Sequence, residues 1–231
     1  LNQESTPGEP NELIQDWIEN NPIGSENAWE PYPTSLRIVN WIKYFERTEK
    51  EVPVLFLTNL ASQIDFLYKN LEFHLLGNHL LQNIKALMFG AVFFGNGQLY
   101  QKAQRIWDKQ LEEQILPDGG HFELSPMYHC IVLEDLLDIY NLVKHNKSQG
   151  LLLPLSSRID QMLDWLATIV DDNGRIPLLN DSAYGIAPEF SDLCEYAEKL
   201  GFSLPKRKEN IAVFLKDSGY CILQNSSFRV L

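Results

Sequence analysis

The stretch NHLLQNIKALMFGAVFF, residues 78–94, decides how the rest of the chain folds. Leu80, Ile84, Leu87 and Ala91 recur at helical spacing, and the positions between them are also largely apolar. A helix that is apolar on nearly every side has to be enclosed by other helices. The flanking sequence supplies them. VLFLTNLASQIDFLYKNLEFH (54–74) places Leu57, Leu60, Ile64, Leu67 and Leu71 at alternating steps of three and four, and TSLRIVNWIKYFERT (34–48) places Leu36, Val39, Ile42 and Phe45 at steps of three. On the other side, QLYQKAQRIWDKQLEEQI (98–115) repeats Leu99, Ala103, Ile106 and Leu111 against a highly charged opposite face, the pattern of an outer helix.

The pattern continues to about residue 200. Ser125 is a candidate N-cap with Pro126 at the first helical position, and the helix it opens uses Val132, Leu136, Ile139 and Val143. SSRIDQMLDWLATIV (156–170) carries Ile159, Leu163, Leu166 and Ile169, and PEFSDLCEYAEKLG (188–201) stops at a C-terminal glycine. NELIQDWIENN (11–21) reads as a short helix, and the first eight residues of the chain as polar and frayed. NPIGSENAWEPYP (21–33) reads as an irregular segment because of its prolines, packed down by Trp29 and Tyr32. DDNGRIPLLNDSAYGIAPEF (171–190) is a second long irregular stretch, and loops of that length in a compact domain are often functional. The sum is an all-α frame of roughly seven or eight helices, alternately buried and amphipathic. It closes into an incomplete ring of hairpins or stacks as an open solenoid.

After residue 203 the period changes. IAVFLKDSGYCILQNSSFRVL (211–231) has β-rich runs broken at Asp217-Ser218-Gly219 and Asn225-Ser226-Ser227, a hairpin pattern. Two or three such strands are marginal alone. The expected organisation is a helical domain over 9–203 and the start of a truncated β domain over 209–231, joined across the basic PKRK (205–208).

Composition bounds the function. With 231 residues, 45% of them hydrophobic, the chain builds one core and has room for a small second unit. A net charge of −12, from 31 acidic against 19 basic residues, disfavours nucleic acid, which needs a basic footprint. No apolar run approaches the ~20 residues that cross a bilayer, so no membrane partner is expected. Cys130, Cys194 and Cys221 are too few and too far apart for a disulfide framework and read as reduced, mostly buried thiols. LNQESTPGEPNE is no signal peptide and has no initiating methionine, which reads as a processed or truncated start. The compartment stays open between cytoplasm and periplasm, and nothing in the pattern bears on oligomeric state.

Two stretches carry candidate chemistry. In LLGNHLLQN (75–83), Asn78 and His79 stand where one helix ends at Gly77 and the apolar helix begins. Asn78 reads equally as an N-cap, and His79 as a satisfied histidine. Together they would bring an amide and an imidazole to a helix mouth whose free N–H groups favour a carboxylate. In GGHFELSPMYH (119–129), Tyr128 and His129 fall in the first turn of a helix, near its positive end, while His121 and Glu123 alternate in the extended segment before it and so point the same way. The bland alternative is that His121 and Glu123 bond neighbouring backbone and Tyr128 is half buried. No histidine pair has compact metal spacing, so no metal ligand is assigned and no cofactor is expected in this chain. Trp29, Trp41, Trp107 and Trp165 read as core.

WEPYPTSLRIVNWIKY (29–44), HLLGNHLLQNIKAL (74–87) and LPDGGHFELSPMYH (116–129) together resemble the helical N-terminal domain of the heparinase II/III-like polysaccharide lyases, a group similar in architecture to the alginate lyases. The resemblance runs from about Asn11 to Leu200, with NDSAYGIAPEF also fitting. It implies an incomplete (α/α) toroid followed by a β-sandwich, and β-elimination on an acidic, uronate-containing polysaccharide. It assigns Asn78 and His79 to the uronate carboxylate and Tyr128 to the catalytic tyrosine, with Arg37, His121, His129 and Glu123 as candidate substrate-orienting groups. The family's β-domain histidine has no counterpart after Leu200, and the structural metal of some members would belong to that same part. The acidic charge makes a plain uronate polymer a better substrate than a heavily sulfated one. Two rivals stand beside the lyase: a non-catalytic carbohydrate-binding or scaffold protein on the same frame, and a glycoside hydrolase using Glu123 and Asp118.

Overall fold

The structure is a computed structural model that describes residues 9–146, 152–205, 211–225 and 229–231. The first eight residues, Lys206–Lys208 of the basic linker and the turn residues Ser226 and Ser227 lie outside the described residues. The helices are α1 (Pro10–Asn20), α2 (Pro31–Phe45), α3 (Val54–Lys69), α4 (Gly77–Phe93), α5 (Gly97–Gln114), α6 (Pro126–His145), α7 (Leu152–Ile169) and α8 (Phe190–Leu200). Proline opens α1, α2 and α6, where its missing N–H costs nothing, and Gly201 ends α8 in the left-handed conformation.

The helices form an incomplete (α/α) toroid. α2, α4, α6 and α8 follow one another side by side, while α3 packs against α2 and α4, α5 against α4, and α7 against α6. The helix that is apolar all round is thus the central one, with every residue from Leu80 to Ala91 buried. The open-solenoid alternative is set aside. Trp29, Trp41, Trp107 and Trp165 are all in the core, as read from the sequence. Among the cysteines only Cys130 is fully buried. Cys194 is half-buried and Cys221 exposed, so the expectation of mostly buried thiols holds for Cys130 alone. No helix among the described residues is long and apolar enough to cross a membrane.

Lys85, buried in the centre of α4, lies 2.7 Å from Asp135 and 2.6 Å from Asp138 of α6, and Asp138 is also 2.7 Å from Lys43 of α2. Burial alone would discharge Lys85, but the two carboxylates more than reverse it and hold the ammonium charged. This chain of charges ties α2, α4 and α6 together.

β1 (Ile211–Leu215), β2 (Tyr220–Gln224) and β3 (Arg229–Val230) make one antiparallel sheet in the order β1-β2-β3, with Leu215 opposite Tyr220 across the hairpin turn. That turn is seated on the helical frame. Asp118 Oδ2 accepts from Asp217 N (3.0 Å), Ser218 N (2.7 Å) and Ser218 Oγ (2.9 Å), and Trp165 Nε1 donates to Ser218 Oγ at 2.9 Å. The two glycines that follow Asp118 allow the approach. A Cβ on Gly119 would lie 2.2 Å from the Gln161 carbonyl oxygen, and one on Gly120 2.7 Å from Trp165 Nε1.

Candidate active site

Segments far apart in sequence meet at the N-terminal end of α4. The helix does not start as the sequence suggested. α3 ends at Lys69, residues 71–76 form a turn, and Leu76 (φ +59°) and Gly77 (φ +53°) reverse the chain into α4. Leu76 is therefore the N-cap and Asn78 lies inside the first turn, so the N-cap role expected for Asn78 is not what it does.

A buried amide joins the walls. Asn83 Nδ2 donates to Ser35 Oγ of α2 (3.0 Å) and to Glu72 Oε2 of the turn (2.9 Å), and Asn83 Oδ1 accepts from Glu72 N (3.0 Å). Ser35 Oγ in turn donates to the Pro31 carbonyl at 2.8 Å. The other Glu72 oxygen, Oε1, lies 3.2 Å from His79 Nδ1, and the His79 ring stacks on Tyr32 with centroids 4.3 Å apart. From the third side comes the loop that enters α6: Asn78 N donates to Glu123 Oε1 at 3.2 Å. Gln114 Nε2 donates to the Gly77 carbonyl at 3.1 Å, and its Oε1 accepts from His121 Nε2 at 3.0 Å, so the start of α4 is fixed from below.

Four polar groups are left over at this meeting point. The Asn78 side-chain amide, His79 Nε2 and the hydroxyls of Tyr32 and Tyr128 have no protein hydrogen-bond partner among the described residues, and none is a fully buried orphan. Tyr128 is the one side chain between Ser125 and Cys130 that is not buried. Its helix is capped by Ser125 Oγ, which faces Ser182 Oγ at 3.1 Å, so the 171–190 loop braces the entry to α6. Burial, reinforced by Asp135 and by the neighbouring Tyr128 and Glu72, pushes Tyr32 up to about 12 although Lys85 opposes it. Tyr32 is thus a neutral phenol whose O–H is available to donate. Burial also raises the Glu123 carboxyl above its ordinary range, offset in part by the Asn78 N–H and His79.

The remaining candidates do other work. Arg37 spends its guanidinium inside the protein, donating to Gln63 Oε1 (2.8 Å), the Ala28 carbonyl (2.9 Å) and Thr34 Oγ1 (3.1 Å) while stacking over Trp17, and so is not offered to a substrate. His129 is wholly buried, stacked on Trp165 and bonded through Nε2 to the Met162 carbonyl (3.0 Å), and His121 is buried on Gln114. Burial pushes both imidazoles down to about 3, so they are neutral and out of a substrate's reach. His121 and Glu123 do not share a face. The segment turns at Phe122 and Glu123, and Leu124 has φ +56°, which breaks the alternation. Glu123 does reach the site, but as the carboxylate seated on the α4 mouth. Asp118, the other carboxylate of the hydrolase alternative, is saturated by the β1–β2 turn. Tyr32, Glu72 and Asn83 were not picked out from the sequence. No cluster of three or more His, Cys, Asp or Glu residues able to hold a metal ion occurs among the described residues.

Comparison with known proteins gives a consistent set of likenesses. A family model described as the heparinase II/III N-terminus matches residues 11–199. A heparin-sulfate lyase of Bacteroides thetaiotaomicron is 28% identical over 150 residues, which cover 59% of this chain and 21% of that protein. One from Pedobacter heparinus is 24% identical over 183 residues, covering 72% and 28%. Among solved structures, a heparinase III superposes with a TM-score of 0.73 at 21% identity, covering 93% of this chain and 38% of the other, and a heparan sulfate lyase from Pedobacter heparinus with 0.62 at 20%, covering 92% and 37%. The chain therefore spans well under half the length of the relatives it matches.

Proposed function

Because the chain belongs to the heparinase II/III N-terminus family, we propose that the protein cleaves a uronate-containing polysaccharide by β-elimination, using the group at the α4 mouth. The supporting observation is that an amide, an imidazole nitrogen and two phenols are left unpartnered around one helix N-terminus, while the polar groups behind them are bonded. The proton removed in such a reaction is on C5, beside the carboxylate. Its loss becomes feasible when donors stabilise the charge that builds on that carboxylate. Asn78 supplies a neutral donor and His79 Nε2 a second one when the ring is protonated. Tyr128 takes the C5 proton as base, and the same phenol returns a proton to the departing O4 as general acid. Tyr32, kept neutral, adds a donor at the same wall.

The relatives' names bring heparin sulfate forward as a substrate to test beside unsulfated uronate polymers. The assay is ultraviolet absorbance of the unsaturated product, with the native polypeptide that carries this chain and a panel of both polymer types. Absorbance growth abolished by Tyr128→Phe is the expected result. Glycan binding without a new double bond across the panel would replace the lyase with a carbohydrate-binding scaffold, and reducing ends without unsaturation would replace it with a hydrolase.

A further inference from the structure

We propose that Glu72 is a positioning residue that sets the proton on His79 Nδ1 and thereby aims Nε2 into the site, an inference that rests on the lyase reading only for its effect on rate. Glu72 is 5% exposed, in a turn that offers a carboxylate no solvent. Its carboxylate is fixed before it meets the imidazole: Oε2 accepts from Asn83 Nδ2 (2.9 Å), and Asn83 Oδ1 grips the Glu72 backbone N–H (3.0 Å). Asn83 has no freedom to move, since it is wholly buried and also donates to Ser35 Oγ. The remaining oxygen, Oε1, faces His79 Nδ1 at 3.2 Å. A carboxylate only accepts, so this contact requires the proton on Nδ1. Tyr32 lies flat against the ring (interplanar angle 29°) and stops it from turning over. With Nδ1 committed, Nε2 is the nitrogen left for a ligand. It accepts when the ring is neutral and, with a second proton, donates to a carboxylate. Without Glu72 a neutral ring is free to take the other tautomer, as is usual when the group behind an imidazole is removed.

The direct test needs no activity. The protein labelled with ¹⁵N-histidine is examined by NMR, the His79 signals being assigned by their loss in His79→Gln. The expected result is a protonated Nδ1 in the native protein at a pH where the ring is neutral, and a mixed or inverted tautomer in Glu72→Gln. A native ring protonated on Nε2, or a tautomer unchanged by Glu72→Gln, overturns the proposal. The native measurement decides it even where the variant fails to fold. In the native polypeptide, Glu72→Gln is expected to lower kcat about 10- to 100-fold, the scale on which metal-bound imidazoles respond to loss of the group behind them, with KM changed much less. An unchanged kcat in a lyase-active protein also overturns it. If no unsaturated product forms with the native polypeptide, the lyase reading falls, while the tautomer measurement still decides the role of Glu72.

Discussion

Replacing Gly77 by alanine tests the arrangement at the α4 mouth in a way that can be measured without substrate. Gly77 has φ +53°, and a Cβ built there lies 1.8 Å from Glu123 Oε1. Two costs follow. Holding an alanine in the left-handed region costs about 1–2 kcal/mol. The Glu123 carboxylate must also swing away, which forfeits its bond to Asn78 N; bonds to charged groups contribute about 1.5–3 kcal/mol, and the half-buried position favours the lower end. The expected loss is about 3 kcal/mol, which lowers the melting temperature by roughly 6–12 °C for a protein of this size. Gly95 supplies the control, since its φ is +66° and nothing lies within 4 Å of its added Cβ. Gly95→Ala should therefore show the backbone cost alone. In a Glu123→Ala background the Gly77→Ala cost should fall to that same level, leaving a coupling of about 1–2 kcal/mol in the double-mutant cycle. Denaturant melts followed by circular dichroism give all of these values. Equal costs of Gly77→Ala with and without Glu123 would show that the carboxylate is not seated against α4 and would remove the contact that joins Asn78 to the loop before Tyr128.

Further outcomes are expected elsewhere in the frame. His121 and His129 are held down at about 3 by burial while their unfolded forms titrate near 6.5, so the unfolded state binds more protons below pH 6.5. Their stabilisation is complete above pH 6.5 and is lost as pH falls toward 3. Between pH 6 and 4 the native protein should lose about 1.4 kcal/mol per pH unit more than His129→Gln, and parallel stability curves for the two would contradict this. Tyr128→Phe should cut product formation at least about 100-fold with no measurable change in melting. Retained turnover would strip Tyr128 of its role. Asp118→Ala removes the acceptor shared by Asp217 N, Ser218 N and Ser218 Oγ, and about 2–4 kcal/mol of local stability with it. Hydrogen exchange in β1 and β2 should then quicken, and Trp165, which donates to Ser218 Oγ, should change its fluorescence; unaltered exchange would show that the turn is held by something else.

How much was legible in the sequence follows from the range over which each feature is determined. The burial of α4 is written in its own residues, because a helix with no polar face has only one place to go. The Ser125-Pro126 start of α6 and the Gly201 stop of α8 are equally local. The motif at 116–129 was harder because its polar residues serve two ends. Asp118, Gly119, Gly120, His121 and His129 seat the hairpin and pack the helices, while Glu123 and Tyr128 reach the α4 mouth. One part of that division was available in advance. Adjacent residues on a helix point about 100° apart, so Tyr128 and His129 could not both face the cleft, and the larger apolar environment of α6 claims the second. Tyr32 was hidden by its prolines, which suggest a broken chain but in fact open α2, placing Tyr32 on its first turn and Ser35 one turn after Pro31. Glu72 had no local signal at all. It sits in a turn without periodicity, and its burial depends on Asn83, eleven positions later, which depends in turn on Ser35, 48 positions earlier. Local pattern can say that a carboxylate is present, but only the meeting of α2 with α4 says that it has an imidazole to hold.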